Sequence, residues 1–227
     1  MESLQLTGPA GKLAAELLLP ASFDRQTQQC DLVILMHGFL GGRAKQPMAY
    51  LSRILTEAGH AVLRFDFDGY GESDGPSTAN TVPKMIDDAQ AVWRYARTLP
   101  FVRRIILLGH SQGGVVASML AGRQAGAETP PAGLILLAPA SILREFAQRG
   151  RFFTVRCNPA DPPATINIYG FKMGRGYITS AQTLPIEQES ARYTGHVFLL
   201  RRMLLRSHVL DFLRNLPAPR KSDTDAS

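Results

Sequence analysis

Cysteine is scarce in this chain of 227 residues: there are two, Cys30 and Cys157. They lie far apart and in no metal-ligand or redox spacing, so they read as two reduced thiols and exclude a disulfide-built scaffold. No apolar run approaches the ~20 residues that a membrane span needs. The opening Met1-Glu2-Ser3-Leu4-Gln5-Leu6 lacks the basic-then-apolar order of a signal peptide. A soluble, cytoplasmic protein with no integral membrane segment is therefore expected. Also missing is a basic stripe interleaved with aromatics. The formal charge is +6, but residues 192–227 hold seven Arg/Lys against three Asp and so supply +4 of it. The pI of 9.6 is then no nucleic-acid footprint, and no nucleic-acid partner is expected. There is no internal repeat and no metal-binding cluster, so neither metal nor cofactor is implied.

What remains is an ordinary globular balance, 45% hydrophobic and 19% charged. The length suits one α/β domain with a sizeable core. Residues 4–7 and 12–19 flank Gly8-Pro9-Ala10-Gly11 and read as a hairpin. Asp31-Leu32-Val33-Ile34-Leu35-Met36 reads as a continuous apolar run, the mark of a buried parallel strand, and residues 61–65, 104–108 and 133–137 read as further strands. Between them, residues 48–58 and 82–99 carry helical spacing. Thr81 caps the second of these, Pro83 suits its first turn, and Ile86, Ala89, Val92, Trp93 and Ala96 make its apolar face. Strands alternating with helices argue for an α/β fold with a doubly wound, mostly parallel sheet. From residue 140 to 190 the pattern becomes irregular and reads as an insertion over the carboxyl ends of the strands. Residues 195–200 read as one more strand. Residues 1–216 form a single domain in this reading, and residues 217–227 a polar, disordered tail.

Gly109-His110-Ser111-Gln112-Gly113 joins the strand at 104–108 to a helix beginning at Gly113. This is the G-x-S-x-G pattern, in which glycines permit a strained turn and a close strand–helix approach while the serine is pushed out at the sheet's carboxyl edge. A serine hydroxyl there needs a histidine base, an acid to orient it, and donors for an oxyanion. The backbone N–H of Gln112 is one candidate donor. His37-Gly38-Phe39 ends an earlier strand, and the Phe39 N–H is the other.

These pieces resemble the α/β-hydrolase superfamily, and within it the cinnamoyl (feruloyl) esterases. The resemblance rests on His37-Gly38-Phe39, Phe65-Asp66-Phe67, residues 69–75, residues 109–114, Leu137-Ala138-Pro139-Ala140, Leu184-Pro185-Ile186 and Ala191-Arg192-Tyr193-Thr194. It implies a serine hydrolase acting on small carboxylic esters through an acyl-enzyme on Ser111, with Phe39 and Gln112 as the oxyanion hole. It makes residues 140–190 a lid, with Tyr177 touching the aromatic acid of the substrate. Phe146 stands where the family has an acidic lid residue.

The resemblance stops near Leu200. The family's acid follows that strand in a His-Gly-x-x-Asp loop, but residues 201–206 contain no carboxylate. The family's last strand and helix, with the histidine between them, find no counterpart, as a truncated or frameshifted end would give. His37 and His110 belong to loops beside the site and read as backbone-orienting. His60 and His196 sit away from the carboxyl edge. His208 with Asp211, on a helix over residues 203–213, is the remaining candidate base and acid, or else a solvated surface pair. Asp66, Asp68, Glu72 and Asp74 read as turn-forming carboxylates. Two readings stay open: a working esterase, or a fold-competent protein lacking acid and base. Leu204, Leu205, Val209, Leu210, Leu213 and Leu216 either cover the exposed sheet or leave an edge for self-association.

Overall fold

Alternate residues of a buried strand face opposite sides, and that split organises this molecule. The computed structural model describes residues 1–200 and 205–217. In chain order the elements are β1 (Glu2–Thr7), β2 (Lys12–Leu18), β3 (Cys30–Met36), α1 (Met48–Glu57), β4 (Ala61–Phe65), α2 (Val82–Arg97), β5 (Val102–His110), α3 (Gln112–Arg123) and β6 (Gly133–Leu137). Then follow α4 (Leu143–Gln148), β7 (Arg151–Phe152), β8 (Val155–Arg156), β9 (Thr165–Ile168), β10 (Phe171–Gly174), α5 (Arg175–Ala181), α6 (Ile186–Ser190), β11 (Val197–Leu200) and α7 (Leu205–Arg214). Boundaries differ from the sequence expectation by a residue or two, as frayed ends do.

Seven strands form one sheet in the order β1-β2-β4-β3-β5-β6-β11. The β1–β2 hairpin joins its edge antiparallel, and β4, β3, β5, β6 and β11 run parallel. On one face Leu32, Ile34 and Met36 pack with Ile86 and Trp93 of α2 and with Val116 and Leu120 of α3. On the other, Val33, Leu35, Ile106 and Leu108 pack with Leu51, Ile54 and Leu55 of α1. Each such side chain is worth about 1.5–3 kcal/mol of burial. The helix expected at residues 203–213 is α7, whose Val209, Leu210 and Leu213, with Leu216 just beyond it, are buried in that second layer. Leu204 and the tail at 218–227 fall outside the described residues, and Pro217 offers its carbonyl to Arg104.

The insertion holds two small antiparallel hairpins, β7–β8 and β9–β10, with short helices around them. α6 packs on α3. No described helix is long and apolar enough to cross a membrane.

Candidate functional site around Ser111

Ser111 sits between β5 and α3 with φ 53° and ψ −118°. A non-glycine residue at positive φ is strained and persists only where its surroundings fix it. Here they do. The Ser111 N–H donates to the Leu137 carbonyl at 2.9 Å, and the Ser111 carbonyl accepts from Gly114 at 2.9 Å and Ala140 at 3.0 Å. The glycines are sterically required. A Cβ on Gly109 would meet the Gly113 carbonyl oxygen at 2.1 Å, and one on Gly113 would meet the Met36 carbonyl oxygen at 2.2 Å. The serine hydroxyl does not cap α3, so the turn does not consume it.

The loop after β3 lies against this turn: a Cβ on Gly38 would come within 3.0 Å of the Ser111 Cβ. No described backbone group accepts the Phe39 N–H. Gln112 is the first residue of α3, so its N–H precedes the helical ladder. The Gln112 side chain turns inward, donating from Nε2 to the Met85 Sδ at 2.9 Å. Its Oε1 is buried without a partner, as is the hydroxyl of Tyr70.

His37 is fully engaged as a brace. Its Nδ1–H donates to the Gly38 carbonyl at 2.9 Å, and its Nε2 accepts the Phe67 N–H at 3.4 Å. Burial holds it below the ordinary imidazole range, so it is neutral. The rings of Phe67 and Tyr70 meet it edge-on. Burial also lowers His110.

Of the carboxylates read as turn-formers, Asp66, Glu72 and Asp74 are tied into the loops, while Asp68 Oδ1 is buried without a partner. Asp66 accepts from the backbone N–H groups of Arg43 at 2.7 Å and Glu72 at 3.1 Å, and it pairs with the Arg43 guanidinium. Arg43 also reaches Glu72, and Glu16 at 3.3 Å, while Glu16 holds Arg64 at 2.5 Å. Asp74 accepts the Lys12 N–H at 2.8 Å. Arg43, at the centre of this network, was not singled out from sequence. Its partners lie 23 residues or more away along the chain, so no local pattern marks it. Beneath the loop, Asp88 accepts the Asp68 N–H at 2.9 Å.

Tyr177 of α5 is 3% exposed, edge-on to Phe152. Burial, with Tyr70 nearby, holds its phenol well above the ordinary value. Phe146 is exposed. A cleft of about 320 Å³ runs between the loop after β3 and β10, lined by Leu40, Lys45, Tyr70, Phe171 and Lys172 among others. Ser111 does not line it.

The pair His208 and Asp211 is not formed as an acid–base couple. Asp211 is held by Arg214 at 2.8 Å, and the His208 ring lies over Phe198 of β11 at 6.5 Å. α7 covers the sheet face opposite α3, so the packing that buries Leu213 draws the pair to the wrong side of the sheet. His60 and His196 stay at the amino ends of β4 and β11.

Comparison with known proteins gives these features a setting. The family described as serine aminopeptidase, S33, matches residues 27–156. The lysophosphatidylserine lipase ABHD12 of Danio rerio is 31% identical over 134 residues, 59% of this chain and 34% of that one. The chain thus spans about a third of the length of the curated relatives it matches. A structure of Est1E from Butyrivibrio proteoclasticus with ferulic acid bound is 30% identical, with a TM-score of 0.80, over 86% of this chain and 77% of that one. The Pyrococcus furiosus esterase Pf2001 shares the fold at 17% identity and a TM-score of 0.62, covering 95% and 92% of the two chains.

Proposed function

From a chain that belongs to the serine aminopeptidase S33 family of α/β hydrolases, we propose a carboxylic ester hydrolase with Ser111 as its nucleophile. The single observation that carries this is the strained, fully braced backbone of Ser111, with a hydroxyl that the turn leaves unused. The Ser111 Oγ attacks the ester carbonyl carbon. The carbonyl oxygen, now an anion, takes hydrogen bonds from the Phe39 and Gln112 amides, a single such donor being worth about 3–4 kcal/mol. The alcohol leaves with the proton that the Ser111 hydroxyl gives up, and water then adds to the acyl carbon, releasing the acid and returning a proton to Ser111 Oγ. An aromatic acyl group, as in feruloyl esters, is the first substrate class to assay, because the chain is similar to Est1E with ferulic acid bound. ABHD12 relatives bring lysophospholipid esters in as the second substrate class to assay.

A second reading has its own observation. Among the described residues no histidine is hydrogen-bonded to Ser111; His37 has both nitrogens engaged, and Asp211 is taken by Arg214. Such a protein keeps fold and nucleophile but turns over slowly, since oxyanion donors and binding alone give only a residual ~10³–10⁴ over water.

Labelling with a fluorophosphonate, alongside hydrolysis of p-nitrophenyl acetate and methyl ferulate by the parent and Ser111→Ala, tests both. A working esterase loses about 10⁵–10⁶ in kcat on that substitution. Labelling that persists in Ser111→Ala overturns the nucleophile assignment. A parent rate within about tenfold of the variant selects the impaired reading.

A further inference from the structure

We infer that the two hairpin tips of the insertion form a docking surface for an anionic lipid membrane. The observation is a pair of local rules broken side by side. Phe153, at the tip of β7–β8, has φ 53°, and Tyr169, at the tip of β9–β10, has φ 51°. Turns with positive φ favour glycine, asparagine and aspartate, and bulky aromatics are outliers there. Both rings are also offered to solvent, Phe153 at 64% and Tyr169 at 68% exposure, and they meet each other edge-on at 6.0 Å. A single exposed apolar side chain needs no explanation. Two strained aromatics on adjoining tips, in touch with each other, do.

The charge around them fixes the occupant. The β7–β8 register places Arg151 directly opposite Arg156. Like charges facing across a strand pair destabilise it, unless something anionic lies over them. Residues 140–175 hold six Lys/Arg and two Asp/Glu, a net +4, while residues 1–139 are neutral with twelve of each. The two acids are already engaged, Glu145 by Arg149 at 3.6 Å and Asp161 by Arg175 at 3.1 Å. That leaves four exposed cations, Arg144 on α4 and Arg151, Arg156 and Lys172 on the two hairpins. Aromatic rings at the headgroup level, flanked by Arg and Lys that reach lipid phosphates and carboxylates, are how proteins lie on membrane interfaces. Acidic protein partners would match the arginines but leave the rings without an apolar phase.

Position gives the surface a use. Phe153 stacks on Phe39 at 5.5 Å, and Phe39 meets Phe171 at 5.0 Å. A lid seated on a bilayer through its tips therefore holds the loop beside Ser111 at the lipid surface. The docking itself does not depend on Ser111 being a catalyst.

Liposome flotation of the whole chain tests it, with vesicles of phosphatidylcholine alone and of phosphatidylcholine with about 30% phosphatidylserine. The chain is expected to float with the mixed vesicles and to stay behind with the neutral ones. Phe153→Asn with Tyr169→Asn suits both turns, so folding is preserved, and it lowers partition about tenfold. Arg151→Gln with Arg156→Gln lowers it about thirtyfold, roughly fivefold per arginine. Ser111→Ala and Arg214→Gln float like the parent. Thermal melts of each variant certify folding. Three results overturn the inference: equal partition into both vesicles, flotation that the lid variants leave unchanged, or no flotation. A dimer in gel filtration that Phe153→Asn abolishes also overturns it, by naming a second copy as the occupant.

Discussion

The turn at Ser111 and the β11–α7 end are built from the same materials, a parallel strand followed by a helix on the sheet. At Ser111 every backbone atom is committed. Gly109 and Gly113 leave no room for a Cβ, Leu137 and Ala140 hold the peptide, and the His37 and Arg43 loops close round it. At β11–α7 the apolar contacts are sound, with Val209 and Leu213 buried, yet the Asp211 carboxylate is bonded to Arg214 of its own helix, away from Ser111. Packing follows from an apolar stripe at helical spacing, which many sequences meet. A chemically competent turn needs several separate segments to agree in position, and the first end alone has that agreement.

The sharpest way to break the contrast is Gly113→Val. Its Cβ would sit 2.2 Å from the Met36 oxygen and 2.5 Å from the His37 oxygen, both backbone atoms that cannot move aside. More than about 4 kcal/mol is expected to be lost, read as insoluble protein or an absent melting transition. Gly126→Ala, with nothing within 4 Å of its Cβ, should stay within about 0.5 kcal/mol of the parent. Arg43→Met comes next. It strips the guanidinium from Asp66, which is 1% exposed. Breaking a buried pair from one side costs about 3–5 kcal/mol, measurable by urea titration. If Arg43→Met melts like the parent, the loops are not held as tightly as the contrast requires.

How much of this was legible in sequence differs between the same regions. The buried runs at 31–36 and 104–108 declared the parallel sheet, and the Thr81–Pro83 start marked α2, because these signals are local. Gly109-His110-Ser111-Gln112-Gly113 declared its turn because steric demand writes itself as glycine. The Arg43 network could not be read, since its charges come together only after β2, β4 and the loop after β3 have packed. The lid hairpins were equally hidden. Residues 151–156 make two strands of two residues with an aromatic at the turn, and nothing there matches a turn signature. His208 and Asp211 stand at i and i+3, which puts them on one helix but says nothing of which sheet face that helix covers.

Two further changes probe the layers beneath each region. Asp88 lies under the Ser111 loops, 1% exposed, and burial, with Asp68 beside it, pushes its carboxyl from 3.8 up to about 7. The native state then binds a proton more tightly than the unfolded chain does. Stability is therefore present below pH ~4 and falls as pH rises towards 7, by up to about 4 kcal/mol. Asp88→Asn should flatten that slope and raise the melting temperature at pH 8. An unchanged pH profile would mean that Asp88 is ionised and otherwise compensated. At the other end Leu213→Ala should cost about 2–3 kcal/mol from the layer of Ile106, Leu108 and Ile135. A loss of that size shows that α7 is part of the cooperative unit; no loss shows that it frays independently.

The smallest effect decides most about the comparison. Asp211 is 60% exposed and bonded to Arg214 three residues on. Such surface pairs contribute about 0.3–0.5 kcal/mol at most. Asp211→Asn is thus expected to leave the melt almost unmoved. Its effect on ester turnover is the informative measurement. An acid that orients a catalytic histidine costs about 10⁴ in kcat when turned to the amide, whereas a surface carboxylate on the far face of the sheet costs nothing. Methyl ferulate hydrolysis within twofold of the parent is expected. A thousandfold loss at Asp211→Asn, matched by His208→Ala, would place α7 at the reaction centre and erase the distinction between a packed end and a chemically equipped one.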